Sequence, residues 1–138
     1  AAIFFGATDH MHPDIAAAVQ EAMDRGRPPG NPVAKTAWTP MQAYLDGLSS
    51  LQETRQALIR TSVVYFAEDL PAPYTVHHGA ADPVVTVAQG RRLRDRMEEL
   101  GLEPPQFEYF EYEDGVHSPN SMPGSVDAVR AFLCELLD

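Results

Sequence analysis

Tyr74-Thr75-Val76-His77-His78-Gly79-Ala80-Ala81-Asp82-Pro83 is the stretch whose reading decides the fold. Its β-rich first half leads into Gly79 and reads as a buried strand; the small residues and the Asp-Pro pair that follow read as the loop where the strand stops. An acid there stands at a strand's C-terminal end, where open α/β sheets bind ligands, so Asp82 is a candidate for chemistry rather than packing. His117, in Gly115-Val116-His117-Ser118, lies just past a second strand pattern, Phe107-Glu108-Tyr109-Phe110-Glu111-Tyr112. Asp82 and His117 form the sharpest functional pair in the chain.

On the N-terminal side, Ala1 to Phe5 is an unbroken apolar run closed by Gly6, the mark of a parallel strand covered on both faces. Pro13 or Asp14 opens a helix carrying Ile15, Ala18, Val19, Ala22 and Met23 that stops at Gly26. The prolines between Arg27 and Pro32 predict a loop. Thr39 as N-cap with Pro40 at the first helical position predicts a second helix through Tyr44 and Leu45 to Gly47. Ser50 and Glu53 have the spacing of a capping box for a third, with Leu51, Leu58 and Ile59 on its apolar face. Val63 to Phe66 is too short to type.

Downstream, Thr86 to Leu100 closed by Gly101 is the clearest helix. Arg91 with Asp95 and Arg94 with Glu98 at helical spacing predict a solvated face rather than a basic ligand patch. A final helix from Ser125 to Leu137 offers Val126, Val129, Phe132, Leu133 and Leu136 to a core. Cys134 falls in that apolar pattern and reads as a small buried core residue, not a nucleophile.

Strands alternating with helices predict the α/β class: a three-layer α/β/α arrangement around a mainly parallel sheet with about three core strands. Residues 1–138 are one domain's worth of chain. The helical stretch 13–60 exceeds an ordinary crossover and is expected to be a cap-like insertion.

A formal net charge of −10 and a pI near 4.8 argue against nucleic acid or an anionic membrane as partner. No apolar run approaches the roughly 18 residues a membrane span requires. A small-molecule partner and a cytoplasmic setting are the expectations. Asp9-His10-Met11-His12 holds a His-x-His pair of the kind zinc accepts, but no second ligand set accompanies it. Pocket lining is the preferred reading of that loop, with a second role for Asp9 as the acid, and a metal-dependent hydrolase is a distant third. No metal or cofactor is expected. His77 and His78, at the end of their strand, read as structural histidines.

Physically, an acid and an imidazole after successive strands suit the two supporting roles of a nucleophilic triad. His78-Gly79-Ala80-Ala81-Asp82-Pro83-Val84-Val85, the helix with Gln89, Arg91, Arg92 and Leu93, Tyr112 through His117, and the Phe132-Leu133 helix together resemble the C-terminal half of an α/β-hydrolase. The branch they resemble is the prolyl oligopeptidase and dienelactone hydrolase group, whose H-G-x-x-D-x-x-V motif carries the triad acid and whose later G-H carries the base. The resemblance implies Asp82 and His117 in those roles, in a serine hydrolase cleaving an ester or amide of a small-molecule or peptide substrate. Arg60-Thr61-Ser62-Val63 looks like the R-x-S-P element of that group with Val63 in place of Pro. Val116, inserted between Gly115 and His117, departs from the pattern in a way that would shift the His loop.

The family nucleophile sits on a G-x-S-x-G elbow, and the chain has none. Gly47-Leu48-Ser49-Ser50-Leu51 lacks the second glycine and follows no strand, so Ser49 and Ser50 read as a cap; Ser118 and Ser121 read as turn residues. The nucleophile and its oxyanion donors are expected upstream of Ala1, and this chain alone is expected to be inactive. The first strand would then be an apolar edge open to self-association or to a missing N-terminal part. The alternative is a non-catalytic remnant serving as an interaction or small-ligand module.

Overall fold

A computed structural model describes residues 2–4, 8–70 and 73–136, the first three through their backbone alone. The elements in order are β1 (Ala2–Phe4), α1 (Pro13–Asp24), α2 (Pro32–Leu45), α3 (Leu51–Arg60), a 3-10 segment (Val63–Asp69), β2 (Tyr74–Gly79), α4 (Val87–Glu99), β3 (Phe107–Tyr112) and α5 (Ser125–Glu135). They fall into two compact units: β1 with everything from Ala67 onward, and Ala7–Phe66. The expected coverage of both faces of Ala1–Phe5 rests on side chains outside the described residues.

In the first unit the strands are parallel and ordered β1-β2-β3. The central strand β2 is buried at all six positions, as a parallel strand covered on both faces is, so its two histidines and its threonine must find partners inside. Successive side chains still point to opposite faces. On one face Thr75 and His77 form a short polar chain: Thr75 Oγ1 lies 3.2 Å from His77 Nε2, and His77 Nδ1 lies 2.9 Å from the Tyr112 hydroxyl. The His77 ring stacks on Phe110, its register partner, with centroids 4.8 Å apart.

On the other face α4 packs over β2, burying Gln89, Gly90, Leu93 and Met97. Gly90 is the point of closest approach: a Cβ there would stand 2.7 Å from His78 Nδ1 and 3.0 Å from the Tyr109 hydroxyl. The helix-weakening glycine is therefore explained by what lies beneath it. Arg91, whose spacing predicts Asp95 as its partner, places its hydrogen bonds on Glu111 of β3 at 2.6 and 2.9 Å and meets Asp95 only as a weaker nearby charge. A planar guanidinium meeting a carboxylate two-on-two outweighs a single helical pair. Arg94 pairs with its neighbour Asp95 at 2.6 Å, keeping Glu98 at 3.8 Å.

The last helix is drier in prediction than in fact. Phe132 and Ser125 are buried in α5, whereas Val126, Leu133 and Leu136 are 58, 45 and 44% exposed and Cys134 is exposed too. An apolar stripe on a helix records what can be buried; how much is buried depends on the width of the surface it meets.

The second unit is a small helical cluster, with Ile15 and Val19 of α1, Ala34 and Ala37 of α2 and Leu58 of α3 at its centre. α2 begins eight residues before its expected start, at Pro32 rather than Pro40. Asn31 Oδ1 accepts from the Val33 and Ala34 amides at 2.8 and 3.3 Å, and Pro32 occupies the first turn. That cap outcompetes the later one. Thr39 bonds back to the Lys35 carbonyl instead, and Pro40 sits inside the helix. Ser50 and Glu53 form the full reciprocal capping box of α3. Ser62 is fully buried, accepting from the His10 amide at 2.8 Å and donating to the Leu58 carbonyl at 2.7 Å. Val63–Asp69 resolves into 3-10 turns with a break at Phe66.

Burial pushes the His77 imidazole below the usual histidine range. The unfolded chain thus takes up the proton first on acidification, so the stability contributed by neutral His77 is complete above about pH 6.5 and is lost as pH falls through the lowered folded value. Urea melts at pH 7 and pH 5 are expected to show a lower midpoint at pH 5, with a smaller drop in His77→Gln. An equal drop in the two proteins would assign the effect elsewhere.

Candidate active site

Because β2 and β3 are parallel and paired to their ends, with Gly79 opposite Tyr112, the loops that follow leave the sheet at the same C-terminal end. Backbone bonds then lace them together. Ala80 N–H donates to the Tyr112 carbonyl at 2.8 Å, Ala81 N–H to the Gly115 carbonyl at 2.9 Å, and Gly115 N–H to the Tyr112 carbonyl at 3.0 Å. The two glycines meet face to face. A Cβ on Gly79 would lie 2.2 Å from the Gly115 oxygen, and one on Gly115 would lie 2.8 Å from the Gly79 Cα.

This crossing sets Asp82 beside His117, with His117 Nδ1 donating to Asp82 Oδ2 at 2.8 Å. The other carboxylate oxygen, Oδ1, accepts from the Val84 and Val85 amides at 2.8 and 3.0 Å. Asp82 thus closes an Asx-type turn upon its own loop, and each oxygen has a fixed task. Its side chain is fully buried, while that of His117 is 35% exposed. A buried acid with committed oxygens and a base reachable from outside is the asymmetry an orienting carboxylate and a proton-carrying imidazole require. With Nδ1–H given to Asp82, a neutral ring carries its basic lone pair on Nε2.

The His loop has its own brace. Ser121 Oγ accepts from the Val116 amide at 2.8 Å and donates to the Ser118 carbonyl at 2.7 Å. Val116 is 41% exposed, so the inserted residue is absorbed outward and His117 still reaches Asp82. Ser118 and Ser121 are turn residues, as their setting suggests.

Other candidates take different partners. Ser49 Oγ lies 3.1 Å from Thr54 Oγ1, and Ser50 caps α3. Asp9 Oδ1 accepts from the Met11 amide, and His12 Nδ1 accepts from the Asp14 amide as the N-cap of α1. His10 is buried in the helical unit, where burial lowers its pKa. Among the described residues no group of three or more His, Cys, Asp or Glu side chains is arranged to hold a metal ion, and no helix is long and apolar enough to cross a membrane.

His78 is the residue whose environment the sequence leaves unread. Its ring is completely buried, and Nε2 lies 2.9 Å from the Val85 carbonyl. The available sequence signal is adjacency to Gly79; the contact with residue 85 requires the turn to be formed.

No family model matches the chain, and no curated protein does. Among solved structures, a Mycobacterium tuberculosis puromycin-hydrolyzing peptidase is similar, with a TM-score of 0.60 and 20% sequence identity over 95% of this chain. The match is one of fold, and this chain spans 17% of the length of that peptidase.

Proposed function

We propose that this chain supplies the acid and the base of a serine α/β-hydrolase, as the C-terminal part of such a domain in the prolyl oligopeptidase and dienelactone hydrolase branch. Asp82 orients and stabilises His117, and His117 takes the proton of a serine that attacks an ester or amide carbonyl, then returns it to the leaving group. The observation that carries this reading is the 2.8 Å contact from His117 Nδ1 to a fully buried Asp82 carboxylate at the C-terminal ends of adjacent parallel strands. The fold likeness to a peptidase supports the same chemistry. The nucleophile belongs to a G-x-S-x-G elbow outside these 138 residues, since the chain contains no such motif.

In this reading residues 13–60, within the compact unit Ala7–Phe66, are a cap-like helical insertion in the chain between the first two strands of a three-layer α/β/α domain. The second edge of β1, which carries no strand among the described residues, pairs with an upstream strand of the intact protein, or with another copy when the fragment stands alone. A fluorophosphonate probe tests the assignment. The intact protein is expected to label at one upstream serine and to lose labelling in His117→Ala, whereas the 138-residue chain stays unlabelled. Stoichiometric labelling of any serine within 1–138 would sink the division of the triad.

A further inference from the structure

We infer that His78 is a positioning residue for the Asp82 carboxylate, acting through Val85 rather than by touching the acid. This rests on the triad reading given above and adds a fourth member to it.

Val85 is clamped from both sides. Its N–H is held by Asp82 Oδ1 at 3.0 Å, and its carbonyl lies 2.9 Å from His78 Nε2. A carbonyl only accepts, so Nε2 carries the hydrogen and His78 is in the Nε2–H form. The direct distance from His78 Nε2 to Asp82 Oδ2 is 4.0 Å, too long for a hydrogen bond. The link between them therefore runs through the backbone of Val85, whose N–H and carbonyl belong to successive peptide groups joined at its Cα. Holding the carbonyl of the 85–86 peptide restrains the Val85 φ and ψ rotations and so keeps the N–H of the preceding peptide aimed at Oδ1, which restrains the rotation of the carboxylate plane. With Oδ1 committed, Oδ2 is the oxygen presented to His117.

Two features argue that this ring is kept for its Nε2–H and not for packing. His78 Nδ1 is buried with no hydrogen-bond partner, a defect that an apolar side chain of the same size would not carry. Gly90 opens α4 just above that atom, where a Cβ would come to 2.7 Å. A helix glycine and an unsatisfied ring nitrogen both disfavour the fold, and the bond to Val85 is what the imidazole gives in return.

Nitrogen-15 chemical shifts of the histidine rings in the 138-residue chain at pH 8 report which nitrogen of each ring carries hydrogen. Wild type is expected to show His78 as Nε2–H and His117 predominantly as Nδ1–H. His78→Gln places an amide N–H where Nε2 stood and should keep His117 in that form. His78→Asn offers the same chemistry one methylene short of Val85 and should return His117 to the Nε2–H form that predominates in a free imidazole. Asp82→Ala is the reference that removes the acceptor itself.

If Asp82→Ala leaves His117 unchanged, the triad reading fails. If Asp82→Ala shifts it and His78→Asn behaves like wild type, only the role of His78 fails. Finding wild-type His78 in the Nδ1–H form would overturn the inference without any variant.

Discussion

Asp82→Asn in the intact protein is expected to lower kcat about ten-thousandfold with KM little changed, the scale seen when the orienting acid of a Ser-His-Asp triad is amidated. The side chains are isosteric, so the loss is electronic rather than steric. The Asn carbonyl oxygen takes over the Val84 and Val85 amides, now bonded to Oδ1, and this turns the NH2 group towards His117. Two donors cannot face one another, so His117 Nδ1 must become the acceptor and its hydrogen moves to Nε2. An Nε2 that already holds a hydrogen cannot take the proton of a nucleophile. Steady-state kinetics beside a thermal melt decide the matter: activity within tenfold of wild type at unchanged stability would remove Asp82 from the mechanism. Asp82→Ala should behave differently, costing stability as well, because two backbone N–H groups at the foot of the loop lose their acceptor at about 1–3 kcal/mol each.

Gly79→Ala is expected to destabilise the fold by about 2–3 kcal/mol, which for a chain of this size lowers Tm by about 10 °C. The added methyl would stand 2.2 Å from the Gly115 oxygen and 2.3 Å from its carbonyl carbon, and backbone atoms cannot swing aside as a side-chain tip can. Something must separate, and the weakest seam is between the two loops, where Ala81 N–H bonds the Gly115 carbonyl. The variant should therefore also lose the Asp82-bound Nδ1–H form of His117 in the 15N spectrum. Gly30→Ala serves as the control, since nothing lies within 4 Å of a Cβ built there, and it should melt as wild type does. A Gly79→Ala protein that melts within about 2 °C of wild type, below the shift of a 1 kcal/mol change, would mean that the loops do not cross as closely as described.

Much of the first unit was legible in the residues because its signals are local. The stop at Gly79, the Asp-Pro turn, the helix closed by Gly101 and the aromatic strand before His117 are each set by backbone preferences or by apolar period over a few residues. The start of α2 differs from the expected one because two cap sites compete, Asn31-Pro32 and Thr39-Pro40, and both satisfy the same rule. The outcome turned on which run of helix could place Ala34 and Ala37 in the core with Ile15 and Val19. Arg91 shows a related effect: helical spacing sees Asp95, whose charge does act on it, while the stronger partner Glu111 enters only when β3 is laid beside β2.

By itself the sequence determined the residue types and the ends of the strands that Asp82 and His117 follow, because Gly, Pro and Asp punctuate the chain through their own φ preferences and side-chain bonds. It also determined that a G-x-S-x-G serine is not among them. Tertiary structure alone decided that Asp82 and His117 meet at 2.8 Å, that the two oxygens of Asp82 have separate tasks, and that His78 reaches Val85. These follow from parallel strands in register and from two glycines that let one loop cross the other. The first of these contacts joins residues 35 positions apart, and a distance of that kind is set by how strands pair, which no short window of sequence contains.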